Sequence, residues 1–173
     1  MRFRPSCLLL PLLCCAAPLS HAQGLVASEA ALQAALLYNF VIYTDWPALP
    51  AQKIEICVMG SPALHESLSN LQRRKIKGLA LEVKTVATNA QLRSCQVLFV
   101  GPQDHQRIHE ISQVTRSTAM LLVAEENGFD ANDVIISLRR QEGRYTFKIN
   151  QTQAKARSLE LSARLLKLAA LVY

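Results

Sequence analysis

Hydrophobic residues crowd the stretch from Ala30 to Tyr43 so densely that only Gln33 and Asn39 interrupt them. Ser28 supplies an N-cap ahead of this run. Asp45, Trp46 and Pro47 close it, because the residue before a proline avoids the helical region. The pattern predicts a helix from Ser28 to about Tyr43 with no obvious wet face, and such a helix must be covered on most sides. Two covers stay open: the rest of the fold, or another molecule, in the simplest case a second copy.

Further along, "KIEICVMG" reads as a strand ending at Gly60, and "SPALHESLSNLQRR" as a helix opened by Pro62, with Leu64, Leu68 and Leu71 on one face. Gly78 stops that helix. "LALEVKTVA" alternates Leu79, Leu81 and Val83 against Ala80, Glu82 and Lys84, the period of a half-buried strand. "CQVLFVG" and "TAMLLVAEE" are continuous apolar runs, as in strands covered on both faces, and "PQDHQRIHEISQVTR" between them is helical. This alternation predicts crossover units and a largely parallel sheet up to about residue 125. "DVIISLRRQEGRYTFKIN" then predicts an antiparallel hairpin turning at Gln141, Glu142 and Gly143. Last comes a helix from Gln151 to about Val172, with Leu159, Leu161, Leu165, Leu168 and Val172 inside and Arg157, Glu160, Arg164 and Lys167 outside. The expected class is α/β: a three-layer Rossmann-like domain, mostly parallel, with a C-terminal antiparallel hairpin and a terminal helix.

The opening "MRFRPSCLLLPLLCCAAPLSHAQ" changes how the remainder is read. Arg2 and Arg4 precede an apolar run from Cys7 to Pro18, and Ser20 and Ala22 frame a cut before Gln23, the pattern of a secretory signal peptide. The run is shorter than the roughly 20 residues needed to cross a bilayer, and Pro11 and Pro18 break it. Residues 1–22 are therefore read as a leader and 23–173 as one exported domain. Cys7, Cys14 and Cys15 leave with the leader, so only Cys57 and Cys95 remain to form a disulfide in an oxidising compartment. The alternative, two buried thiols that never meet, stays open. If the bond forms, one cysteine lying within a strand and the other just before a strand parallel to it predicts a labile or strained one. The formal charge of +6, two of it from the leader, is too small to argue for nucleic acid.

Catalytic patterns are few. His105 and His109 stand four apart, but Gln106 occupies the place where a zinc-dependent protease needs its glutamate, so a polar helix surface is the preferred reading. No Gly-x-Ser-x-Gly elbow occurs, and Ser28 and Ser61 serve better as caps. A thiol pair of Cys57 or Cys95 with His65 is set aside, because an exported nucleophilic cysteine needs dedicated reduction. Gly60, Ser61 and Pro62 join a strand to a helix without the glycine-rich dinucleotide fingerprint. We therefore expect no enzyme, no metal and no cofactor. A cationic group remains: Arg139, Arg140, Arg144 and Lys148 in the hairpin, then Asn150, Lys155 and Arg157. Arg139, Arg144, Lys148, Asn150 and Arg157 form the candidate anion-binding set, against the alternative of ordinary solvated edge charge.

The order "LLYNFVIYTDWP", "ICVMG", "CQVLFVG", "YTFKIN" and "LSARLLKLAALV" resembles the YfiR family across nearly all of residues 23–173. Asn39, Phe40, Trp46 and Pro47 match the family's first motif, Cys57 and Gly60 the second, Cys95 and Phe99 the third, and Asn150 the fourth. The resemblance implies a periplasmic repressor that binds the periplasmic sensory domain of a membrane diguanylate cyclase and lowers cyclic-di-GMP. It also implies dimerisation and sequestration by an outer-membrane peptidoglycan-associated lipoprotein. Tyr38, Asn39, Phe40, Tyr43 and Trp46 are the expected partner or dimer contact, because aromatic anchors dominate interface energy. Some relatives carry a second cysteine pair in the hairpin region; no cysteine follows Cys95 here. The alternative function is a periplasmic binder of a small anion or nucleotide.

Overall fold

The computed structural model describes residues 21–49 and 52–173, with side chains from Glu29 onward. The leader expected over residues 1–22 lies outside them except for His21 and Ala22, where the first helix begins. In chain order the elements are α1 (His21–Ile42), β1 (Thr44–Asp45), β2 (Lys53–Met59), α2 (Pro62–Ser69), β3 (Lys75–Ile76) and β4 (Leu79–Thr85). There follow β5 (Val97–Val100), α3 (Ile108–Val114), β6 (Leu121–Glu125), β7 (Ile136–Gln141) and β8 (Arg144–Ile149). The chain ends with α4 (Gln151–Ala156), β9 (Glu160–Leu161), α5 (Ala163–Leu168) and β10 (Leu171–Val172). Short 3-10 turns cover Asn89–Ser94, Pro102–Arg107 and Ala131–Asp133.

Eight strands form one sheet in the order β10-β8-β7-β6-β5-β2-β4-β3. The five strands from β4 to β7 are mutually parallel. β8 returns antiparallel to β7, and β3 adds an antiparallel edge beside β4. Alternate residues of β2 face opposite layers. Ile54, Ile56 and Val58 pack with Leu37, Phe40, Leu64 and Leu68 of α1 and α2, whereas Cys57 and Met59 pack with Leu92, Ile108 and Ile111 beneath α3 and the 3-10 turns. This is the three-layer α/β arrangement that the continuous apolar runs predict, since a parallel sheet needs cover on both faces. The hairpin turn is tighter than expected. Gln141 already pairs with Arg144, and Glu142 and Gly143 both adopt positive φ, the geometry of a two-residue type I′ connection.

Three expectations need correction. Ser28 does not cap the first helix, which already runs from His21. The residues before Gly78 do not stay helical: α2 ends at Ser69, and Lys75–Ile76 pairs back on β4 around the positive-φ Lys77 and Gly78. More extensively, the single terminal helix from Gln151 to Val172 is not formed. Ser158 takes φ +57 after α4, β9 pairs antiparallel with β1, Ser162 caps α5, and β10 pairs parallel with β8. The chain reverses at Ser158 through its positive φ, Ser162 accepts from Leu165 N to start a new helix, and strand pairing uses the released backbone. Leu168 and Val172, expected inside, are exposed, while Arg157, expected outside, is 4 % exposed.

Cys57 and Cys95 are bonded, with their Cα atoms 5.8 Å apart, inside the usual range for a disulfide. The expectation of strain placed the pair at opposite ends of parallel strands. Cys57 in fact lies opposite Leu98, and Cys95 ends the 3-10 turn that folds over that face just before β5. Towards the open end of β2 on the same face, Glu55 accepts from both Lys53 and Lys84 at 2.9 Å. Burial alone would raise its carboxyl, but hydrogen bonding from the Ser94 side chain and then from the two ammonium groups holds it down at about 2. Deeper in this layer His105 is 9 % exposed, stands edge-on to Phe129 with ring centres 5.9 Å apart, and neither ring nitrogen has a hydrogen-bond partner among the described residues.

Three expected outcomes follow from this layer. Replacing both cysteines by serine should cost about 4 kcal/mol by the loop-closure relation for a separation of 38 residues. Urea unfolding with and without reductant measures the loss, and the denatured, unreduced protein should take up no thiol label. Glu55→Gln should cost about 1–2 kcal/mol at neutral pH. Because Glu55 titrates lower in the fold, its contribution is present above its unfolded value and is lost as pH falls towards about 2, which urea midpoints at stepped acidic pH would reveal. His105 behaves in the same direction for a different reason. Burial lowers its proton affinity despite the opposing pull of the Glu125 carboxylate, so the unfolded chain binds the proton more tightly. Stability should fall as pH drops below about 6.5 towards the folded value. His105→Leu should flatten that slope in urea midpoints.

Candidate functional site

The structure answers what covers α1. Ala30, Gln33, Ala34, Leu37, Phe40 and Val41 are buried at helical spacing, and Ala31, Leu32, Ala35 and Asn39 are exposed. The inner face is fixed by both apolar and polar contacts. Phe40 meets Phe147 of β8 edge-on at 5.0 Å. Gln33 donates to Glu125 and to the Tyr145 hydroxyl at 2.8 Å, and that hydroxyl lies 2.9 Å from Glu29 and 3.0 Å from Glu125. Burial, then the two carboxylates, raises the Tyr145 hydroxyl well above its ordinary value. Arg140 pairs with Glu29 at 3.1 Å. The outer strip has no charge, and Leu32 is 41 % exposed on it.

At the C-terminal end of α1 the chain turns under Thr44, whose hydroxyl donates to Phe40 O at 2.7 Å. The backbone of β1 is then held by β9, and Ser162 N donates to Tyr43 O at 2.9 Å. Lys77 donates to Thr44 O at 2.6 Å, pairs with Asp45, and lies 5.9 Å from the centre of the Trp46 ring. Arg74 stands over Tyr38 and Arg164 over Tyr43, each at 5.7 Å. Asp45, Trp46 and Pro47 thus form one wall of a groove of about 430 Å³, with Lys155, Leu159 and Glu160 on the other.

Of the residues expected at a partner contact, Asn39 is exposed and Tyr38 and Tyr43 are half-buried, so these three reach a common surface around the helix end. Phe40 is 1 % exposed and Trp46 is 9 % exposed; both serve the core. Asn39 donates to Ala35 O at 2.9 Å and has no partner outside its helix among the described residues. Arg74, Lys77 and Arg164, which border the aromatic rings, were missed because each comes from a segment remote in sequence.

The candidate anion-binding set is not one cluster. Arg139 and Lys148 both pair with Glu126, Lys148 at 2.7 Å, and so neutralise a carboxylate at the rim of a shallow cleft. Arg144 is exposed at the hairpin turn. Asn150 is buried: its side chain accepts from Gln153 N at 2.9 Å and caps α4. Arg157 donates to Thr115 O at 2.7 Å and to Ser112 O at 3.3 Å, capping the end of α3 from below. Burial, then Arg116, lowers its proton affinity. Arg157 thereby ties the C-terminal segment to α3, and Asn150 fixes the start of α4. His105 and His109 do not converge either, because the chain passes from a 3-10 turn into α3 between them; His109 faces outward and meets Asp133 at 3.1 Å.

Among the described residues no helix is long and apolar enough to cross a membrane, and no three His, Cys, Asp or Glu side chains are placed to share a metal ion. A comparison with curated proteins returns no match. Among solved structures, a conserved domain protein from Vibrio cholerae O1 biovar eltor is similar over 83 % of this chain, with a TM-score of 0.52 and 16 % identity. At that identity the likeness is one of fold. This chain spans 60 % of the length of that one. The family model described as YfiR/HmsC-like matches residues 30–170, from within α1 to the residue before β10. The chain belongs to the YfiR/HmsC-like family.

Proposed function

We propose that this protein is a non-enzymatic periplasmic regulator that represses an inner-membrane diguanylate cyclase by binding its periplasmic sensory domain. Family membership over residues 30–170 carries this reading. The surface chemistry supports it. An exported domain gains little from an uncharged exposed strip such as Ala31, Leu32, Ala35 and Asn39 unless another protein covers it. Tyr38 and Tyr43, each backed by an arginine, border that strip with rigid apolar area and two cations.

Repression requires the regulator to bind the inactive conformation of the cyclase more tightly than the active one, and a few kcal/mol of difference is enough to switch the population. The same strip would serve dimerisation or capture by an outer-membrane peptidoglycan-associated lipoprotein. The three contacts would then compete for one surface, and sequestration would release the cyclase. The disulfide and the leader pattern suit an oxidising, exported setting.

Deleting the gene should raise cellular cyclic-di-GMP, and complementation with the full chain should restore it. Leu32→Glu combined with Asn39→Arg charges the outer strip without touching the core, and should fail to restore repression at normal periplasmic abundance. These positions separate contact from folding better than Trp46, whose removal would open the core. Unchanged cyclic-di-GMP in the deletion strain would sink the proposal.

A further inference from the structure

The parallel strands follow the order β4-β2-β5-β6-β7, so the first strand of this set, β2, lies between the second and the third. From the end of β2 the chain departs through α2 in the layer of Ile56 and Val58; from the end of β5 it departs through α3 in the layer of Cys57 and Met59. Neighbouring strands whose connections leave on opposite faces open a crevice at their carboxyl ends. In open α/β sheets this is where small ligands bind.

Here the crevice has a volume of about 330 Å³, and it is lined by Gly60, Ser61, His65, Thr85, Asp104 and Arg107 among others. Its floor is backbone. Gly101 N donates to Met59 O at 2.7 Å, and Gly60 adopts φ +69 where any added Cβ would stand 2.7 Å from the Asp104 carboxylate. The guanidinium of Arg107 is held in place at the rim. It donates to Ala87 O at 2.9 Å and to Asp104 and Asn89 side-chain oxygens at 3.3 Å each. Asp104 is thereby paired. The side chains of Ser61, His65 and Thr85 make no hydrogen bond with the described residues; Ser61 in particular leaves the first turn of α2 without a side-chain cap. The crevice thus holds three side chains free to bond a ligand, and one guanidinium that its contacts with Asp104, Asn89 and Ala87 hold at the rim.

We propose that this crevice is a binding site for a small metabolite bearing a phosphate or carboxylate group, with that anion held by Ser61, His65 and Arg107. Charge-assisted bonds from a planar guanidinium suit either group. The site is separate from the outer strip of α1 and from the hairpin cations, and it does not depend on the identity of the protein partner.

The test uses the purified, disulfide-bonded protein titrated with sodium phosphate or sodium succinate against sodium chloride at matched ionic strength, read by amide chemical shifts. Saturable shifts at Gly60, Ser61, His65 and Gly101 are expected with at least one of the two anions, and the better of the two identifies the group. Ser61→Asp replaces a side chain that makes no cap hydrogen bond and places a fixed negative charge in the crevice. It should weaken binding by at least about tenfold with an unchanged unfolding midpoint. Lys148→Ala in the hairpin should bind as the parent does. Absence of saturable shifts with both anions, shifts confined to the hairpin, or equal affinity in Ser61→Asp would each overturn the assignment.

Discussion

A parallel sheet whose strands carry Val, Ile, Leu and Phe on both faces survives in water only under cover, and on one face of this protein that cover is largely α1. The helix is held by a seam in which aromatic packing and hydrogen bonds coincide. Phe40 meets Phe147, and about two turns earlier Gln33 reaches Glu125 and Tyr145. Phe147 and Tyr145 belong to β8 and Glu125 to β6, so the seam ties the helix to two strands of the sheet on either side of β7. A buried glutamine left without partners would cost about 1–3 kcal/mol. The contacts to Tyr145 and Glu125 remove that cost and fix the rotation of the helix, and its rotation decides which residues remain outside.

That rotation also links fold to function. With Leu37, Phe40 and Val41 turned inward, Ala31, Leu32, Ala35 and Asn39 turn outward, and none of them is charged. An apolar helix in a small α/β fold can satisfy its inner face with its own sheet and still have a face to offer a partner. The C-terminal segment completes the surface. By breaking into short pieces it returns β9 to pair with β1, which brings Arg164 over Tyr43 and closes the groove beside Trp46.

Much of the fold was legible in local pattern. The five apolar runs became the parallel strands and the hairpin, Pro62 opened α2, and the paired cysteines proved to be neighbours. The candidate site was only partly legible. Tyr38, Asn39 and Tyr43 do share a surface, but Phe40 and Trp46, chemically equivalent in the sequence, are spent on the core. Arg157, by its charge, and Asn150, by its place between Lys148 and Lys155, looked like part of a basic edge because hydrogen-bond partners are not visible in sequence. Their acceptors and donors lie at Gln153, Ser112 and Thr115, the last two roughly forty residues away.

What the sequence determined by itself was the alternation of strand and helix, the layers that each strand must face, and the family to which five ordered motifs belong. These follow from side-chain period and turn chemistry, which act over a few residues. Tertiary structure decided the fate of residues 151–172 and the crevice between β2 and β5. The terminal segment has a helical period, yet strand pairing with β1 and β8 and the new cap at Ser162 offset the lost helical hydrogen bonds. The crevice exists only because β2 is inserted between β4 and β5, an ordering that no local pattern encodes.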